Sequence, residues 1–95
     1  MLDRDAYVDK MKARIDAWNA DIKKMQAKAD EASADMRIKY HEQLDEMRKQ
    51  RNEAEVKMKE AQAASTDAWS DMRKGMESAW DDMSKAFQNA YNRFK

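Results

Sequence analysis

The last third of the chain reads DAWSDMRKGME (67–77), SAWDDMSKAFQ (78–88) and NAYNRFK (89–95), and this eleven-residue repeat is the strongest indication of the fold. Eleven residues fill three helical turns at about 3.67 residues per turn, so equivalent positions stay on one face of a nearly straight α-helix. The aromatic position of each block is therefore aligned with that of the next. The repeat predicts a long amphipathic helix with an aromatic face.

The first third carries a different period. Large apolar residues recur there in steps of three and four, which is the heptad pattern of packed helices. We define the packing seam as the apolar residues that the two patterns together place at helix–helix interfaces. These residues are Met11, Ile15, Trp18, Ile22, Met25, Met36, Trp69, Met72, Met76, Trp80, Met83, Phe87, Tyr91 and Phe94.

The middle of the chain is mostly charged and has few large apolar side chains. Acids there stand four residues before bases, and each such pair stabilises a helix by about 0.2–0.5 kcal/mol. The spacing predicts the pairs Asp35/Lys39, Asp45/Lys49, Glu53/Lys57 and Glu55/Lys59.

Together these patterns predict one all-α unit over 1–95, an elongated coiled coil of long helices. It comprises a heptad segment (1–36), a highly charged segment (37–66) and a segment of aromatic and Met eleven-residue, or hendecad, repeats (67–95). The eleven-residue phase passes from 58 to 69 without a slip, which favours a continuous helix. Helix-starting residues at 65–67 favour instead a helical hairpin bent near 63–67, and Ser33 is a weaker start signal. Both alternatives remain open at this stage.

Composition excludes several classes of protein. Charged residues make up 40% of the chain, which has one Gly, no Pro and no Cys, so disulfide frameworks, thiolate metal sites and turn-rich β folds are not expected. Acids and bases balance at 19 each, and each third of the chain is neutral, so no nucleic-acid partner is expected. We also expect neither a membrane span nor a signal peptide.

Residues that could carry chemistry are sparse. His41 is the only histidine, and no Glu precedes it by three residues as in helical metal sites. The serines lack a neighbouring base. Met72, Met76 and Met83 could bind Cu(I) through their thioethers, but they occupy seam positions where Met packs well. We therefore expect no enzyme activity, no catalytic residue, no metal, no cofactor and no small-molecule substrate.

An apolar stripe on an isolated helix would remain in water, so the packing seam predicts a partner. The partner could be a second copy, another segment of the chain or a lipid surface. We expect a homo-oligomer formed through the seam. Membrane binding by the 67–95 helix is the alternative, and it is less favoured because the polar face mixes acids with bases rather than being cationic.

The segments 3–11 (DRDAYVDKM) and 17–22 (AWNADI), with DAW at 67–69 and SAWD at 78–81, resemble a family of small bacterial coiled-coil stress-response proteins. The resemblance covers nearly the whole chain and implies a cytoplasmic, non-enzymatic helical protein, with no ligand residues to carry over. This chain departs from the family in having Met where Leu or Val is expected. Its eleven-residue blocks also resemble those of apolipoproteins and desiccation-type stress proteins, which supports the lipid alternative.

Overall fold

The computed structural model describes residues 3–93, and these residues are almost entirely helical. Helix α1 spans Asp3–Asp30, α2 spans Ala34–Ala63 and α3 spans Thr66–Asn92, and no strand occurs in the described range. The molecule measures 52 × 18 × 17 Å. The predicted all-α and elongated character is therefore confirmed.

Two short turns separate the helices, and neither contains Gly or Pro. Residues 31–33 join α1 to α2, and the two residues Ala64 and Ser65 join α2 to α3. Ser65 caps α3, because its hydroxyl oxygen accepts a hydrogen bond from the Ala68 backbone N–H at 3.1 Å. Ser33 precedes α2 with an extended backbone but makes no side-chain cap. The second turn lies inside the 63–67 stretch, whereas the first interrupts the predicted heptad segment.

The three helices lie side by side. Helix α2 packs against both α1 and α3, and the short turns make each neighbouring pair antiparallel. Helices α1 and α3 consequently run in the same direction, and their backbones stay farther apart than those of the two antiparallel pairs. Aromatic side chains fill the space between them.

One apolar core runs along the bundle axis. The helices contribute one stripe each, as expected for helices that bury a single face. The buried apolar residues are Val8, Met11, Ile15, Trp18, Ile22, Met25, Ala29, Leu44, Met47, Ala54, Ala61, Ala64, Trp69, Met76, Trp80, Met83, Phe87 and Ala90. Gln50 is buried with them, and its amide nitrogen donates to the Glu46 carboxylate at 2.8 Å.

The charged middle segment contributes more to this core than its composition suggested. Leu44, Met47, Ala54 and Ala61 are completely buried on the inner face of α2. The missed signal was the seven-residue spacing of Met47, Ala54 and Ala61, which places small residues on the heptad face.

The ion pairs on α2 differ from those that the spacing predicted. Asp45 contacts Arg48 at 3.6 Å, Glu55 contacts Arg51 at 3.9 Å, and Lys57 contacts Glu60 at 3.5 Å. Among residues 3–93, none of the four predicted pairs is an ion pair in this structure. Exposed side chains have several partners in reach on a helix surface, and each such pair contributes little to stability.

Within 3–93, none of the helices combines the length and the apolar character that crossing a bilayer requires.

Candidate functional site

The heptad half of the packing seam lies on the inner face of α1. Met11, Ile15, Trp18, Ile22 and Met25 are all buried, and their steps of three and four residues keep them on one side of the helix. The opposite face of α1 carries Lys, Arg and Asp side chains exposed to solvent. These five predicted seam residues therefore share the buried face of α1.

The hendecad half lies on the inner face of α3. Trp69, Met76, Trp80, Met83 and Phe87 are buried there. Met72 and Tyr91, also predicted, are half-buried and pack against the core from its edge. The last predicted seam residue, Phe94, lies outside the described residues.

Met36 departs from the prediction. Its side chain is 40% exposed, although the heptad spacing placed it in the seam. The chain turns at 31–33, so Met36 sits in the first turn of α2 at one end of the bundle. A residue at this end has fewer neighbours from the other helices than one halfway along the bundle.

The seam brings together aromatic rings from helices that are distant in sequence. The Trp18 ring of α1 stacks on Trp80 of α3 with centroids 5.5 Å apart and planes inclined by 11°. It also stacks on Phe87, with centroids 4.5 Å apart and an angle of 10°. Such pairs contribute about 0.5–1.5 kcal/mol each beyond the burial of their area. These contacts join α1 to α3 directly.

A second aromatic contact joins the same two helices nearer the α2–α3 turn. Tyr7 packs against Trp69 with ring centroids 5.2 Å apart and an angle of 51°. Burial raises the pKa of the Tyr7 hydroxyl, the Glu77 carboxylate raises it further, and Arg73 opposes both effects. The indole nitrogen of Trp69 is buried and has no hydrogen-bond acceptor among the described residues.

Polar contacts across the helices flank the seam. Arg51 of α2 donates to the Asn19 side-chain oxygen at 3.0 Å, and Arg48 donates to the Gln26 side chain. At the end of the bundle near the second turn, the Arg4 guanidinium donates to the Ala64 carbonyl. These bonds fix α1 against α2 and against that turn.

An ion pair links α1 to α3 at the same end. Arg73 contacts Asp3 at 2.7 Å and also its own-helix neighbour Glu77 at 3.2 Å. All three side chains are about half exposed, so solvent and salt screen this cluster.

An open groove of about 320 Å³ lies between α1 and α3. Its floor contains Met11 and Trp80, one wall carries Lys10 and Arg14, and the other wall includes Asp81. The walls bear opposite charges and can neutralise each other across the groove. A second groove, of about 380 Å³, separates α2 from α3 and is lined mainly by polar side chains.

The residues considered for chemistry differ in how far they are exposed to solvent. His41 and the neighbouring acid Asp45 are exposed on α2. Met76 is buried in the core, whereas Met72 lies at its edge. Among residues 3–93, no three His, Cys, Asp or Glu side chains are grouped closely enough to hold a metal ion.

Comparison of the chain with protein-family models, with curated proteins and with solved structures found no match in any of the three.

Proposed function

We propose that this protein is a non-enzymatic helical interaction protein that self-associates through its packing seam. The observation that carries the proposal is the stacking of Trp18 on Trp80 and Phe87, which joins helices at opposite ends of the chain. A surface that recognises an aromatic helix of its own chain can recognise the same helix of a second copy. The packed seam then has the character of a coiled coil.

The distribution of side-chain types supports this proposal. The large aromatic residues of the described chain lie in or against the core, so they serve helix–helix contact. The charged side chains lie on the outer faces, where neighbouring ion pairs stabilise the helices in water. A role in bacterial stress response and a cytoplasmic location are part of the proposal, and they rest on the family resemblance of the sequence.

Sedimentation equilibrium over a wide range of concentrations, together with circular dichroism, tests self-association. We expect the average mass to rise with concentration while the helical signal stays constant. The Trp18→Ala variant should lose both stability and association, and Ile38→Ala is the matched control, because Ile38 is 64% exposed on α2. A single monomer mass at every concentration would overturn the proposal.

Binding to a lipid surface is the alternative, and the character of α3 favours it. Of the three helices, α3 separates its apolar and polar faces most strongly. Amphipathic helices of this kind can lie in the membrane interface. To do so, α3 would leave the bundle and place its aromatic face against lipid instead of against α1 and α2.

Quenching by lipids with brominated acyl chains tests this alternative. A shift of Trp emission is a poor readout, because Trp69 and Trp80 are already buried in the bundle. Bromine quenches an indole only when it lies close to the acyl chains. We use Trp18→Phe to restrict the signal to α3, with neutral and anionic vesicles in parallel. Equal emission with brominated and ordinary vesicles of both kinds would exclude lipid insertion.

A further inference from the structure

The turn between α2 and α3 differs from helix at very few backbone angles. Ala64 has φ −72° and ψ 137°, and Ser65 has φ −68° and ψ 169°. Both φ values already match an α-helix, in which ψ is near −42°. Rotation of two ψ angles therefore converts the end of α2, the turn and the start of α3 into one helix.

The buried faces of α2 and α3 would be aligned in such a helix. Met47, Met58, Trp69 and Trp80 follow one another at intervals of eleven residues across the turn. This interval returns to nearly the same face after three turns. All four side chains belong to the core or pack against it. The fused helix would thus carry one uninterrupted apolar face.

We propose that the chain opens at Ala64–Ser65 and forms an exchanged dimer, in which α3 of each copy occupies the place of α3 in the other. The inference rests on the proposed self-association and specifies how it occurs. In each half of the dimer, an α1–α2 pair from one copy packs against α3 from the other. Domain exchange of this kind is a low-cost route to a symmetric dimer, because it reuses contacts that the monomer already makes.

The exchange preserves the seam and changes only the turn. The stacking of Trp18 on Trp80 and Phe87 forms between copies instead of within one. When the turn opens, the Ser65 cap and the hydrogen bond from Arg4 to the Ala64 carbonyl are broken. The dimer gains the backbone hydrogen bonds of a helix that continues through 64–65. Because the seam contacts nearly cancel, the turn residues control the balance between the two forms.

The first turn is less suited to straightening. Three residues, 31–33, leave the helix there, compared with two at the second turn. The structure therefore assigns the hinge to Ala64 and Ser65.

Proline substitutions at the first residues of α2 and α3 test which of the two turns acts as the hinge. Thr66→Pro fits the monomer, because proline is favoured at the first position of a helix and the extended Ser65 is compatible with a following proline. It is incompatible with the fused helix, where its ring would clash with the preceding turn. Ala34→Pro is the matched variant at the first turn, after the extended Ser33.

Ser65→Ala should act in the opposite direction. It removes the cap that favours the turn, and it places a better helix former in the middle of the fused helix. These effects amount to about tenfold per chain, so the dimerisation constant should rise about 100-fold. Thr66→Pro should lower it by about a thousandfold or more, and Ala34→Pro should leave it near the wild-type value. Circular dichroism verifies that each variant is folded.

A distance measurement gives an independent readout of the same opening. Spin labels on Lys57→Cys and Lys74→Cys, diluted with unlabelled protein, report the intrachain distance across the hinge. Packed antiparallel helices have axes about 8–10 Å apart, whereas seventeen residues of one helix span about 25 Å. We expect a short distance in monomer and a long one in dimer.

The possible outcomes separate the two proposals. Dimers that persist in Thr66→Pro, with the short distance, would overturn the exchange and leave self-association standing. Dimers lost in Ala34→Pro but kept in Thr66→Pro would also overturn it and move the hinge to the first turn. A monomer at every concentration in both wild type and Ser65→Ala would overturn both proposals.

Discussion

Among single residues, Trp18 joins two helices through two separate ring contacts. Its ring contacts two aromatic rings of α3 while its backbone belongs to α1, and only 5% of its surface is exposed. An indole in this position excludes water from the interface between two helices whose backbones are well separated. Its loss cannot be compensated by a small movement of the helices.

Replacing Trp18 by Ala should therefore destabilise the protein strongly. Removal of a buried Trp costs about 3–5 kcal/mol, because burial is lost and a cavity remains. Urea unfolding followed by circular dichroism measures the change without relying on Trp emission. Ile38→Ala should change the unfolding free energy by less than about 0.5 kcal/mol, since Ile38 is mostly exposed. Similar losses in the two variants would contradict the packing described here.

The pKa of Tyr7 predicts a dependence of stability on alkaline pH. It lies above the ordinary value of 10.0, mainly because of burial and then because of Glu77. The folded protein thus holds this proton more tightly than the unfolded chain. The resulting stabilisation is complete below the unfolded pKa and disappears as pH rises through the folded pKa.

The difference between the absorbance titration curves of wild type and of Tyr7→Phe isolates the ionisation of this tyrosine. Glu77→Gln should lower its pKa, and Arg73→Gln should raise it, because the two charges act in opposite directions. The unfolding free energy of wild type should decline relative to Tyr7→Phe above about pH 10. An unchanged Tyr7 titration in both charge variants would show that the electrostatic assignment is wrong.

For the helices as elements, the two turns illustrate what a sequence pattern can predict. The heptad and hendecad spacings indicated which residues face inward, because the period of a helix alone determines which sequence positions share a face. The ends of the helices depend on packing as well. At 31–33 the chain turns without Gly or Pro, because folding back allows α2 to cover the apolar face of α1. Local sequence favoured continuation there, so the turn could not be predicted from it alone.

The caps of the two later helices should differ in strength. Ser65→Ala removes a hydrogen bond to the Ala68 backbone N–H and should cost about 1 kcal/mol in dilute solution, where the monomer dominates. Ser33→Ala removes no cap bond and should cost clearly less, because the Ser33 side chain does not cap α2. Thermal unfolding of both variants at low concentration provides the comparison. A larger loss for Ser33→Ala would contradict the cap assignment.

For the whole molecule, the question is how one sequence chooses between a short bundle and a long rod. The apolar pattern required that the seam be covered, and it left the covering partner open. Residues 3–93 cover most of it within a single chain, with Met36 as the exposed exception. Periodicity cannot distinguish a helix of the same chain from a helix of another, because both present the same face. The turn residues make that distinction.

Small-angle X-ray scattering distinguishes these shapes directly. The closed bundle has a radius of gyration of 15.5 Å and a longest dimension of 52 Å. A single helix of this length would extend about 140 Å at 1.5 Å per residue. We expect dilute wild-type protein to scatter as the closed bundle. The Thr66→Pro variant should keep the dimensions of the closed bundle at high concentration as well. A longest dimension above about 100 Å in dilute Thr66→Pro would exclude the closed bundle.

Because the described chain forms three helices that run alternately up and down the bundle, its two ends lie far apart. Asp3 and Arg93 lie at opposite poles of the 52 Å body, because α1 and α3 run in the same direction. Force applied between these poles acts along the helices and must slide one past another, which strains many side-chain contacts together. Extension between these two ends therefore loads the helix–helix contacts in shear along the whole 52 Å bundle.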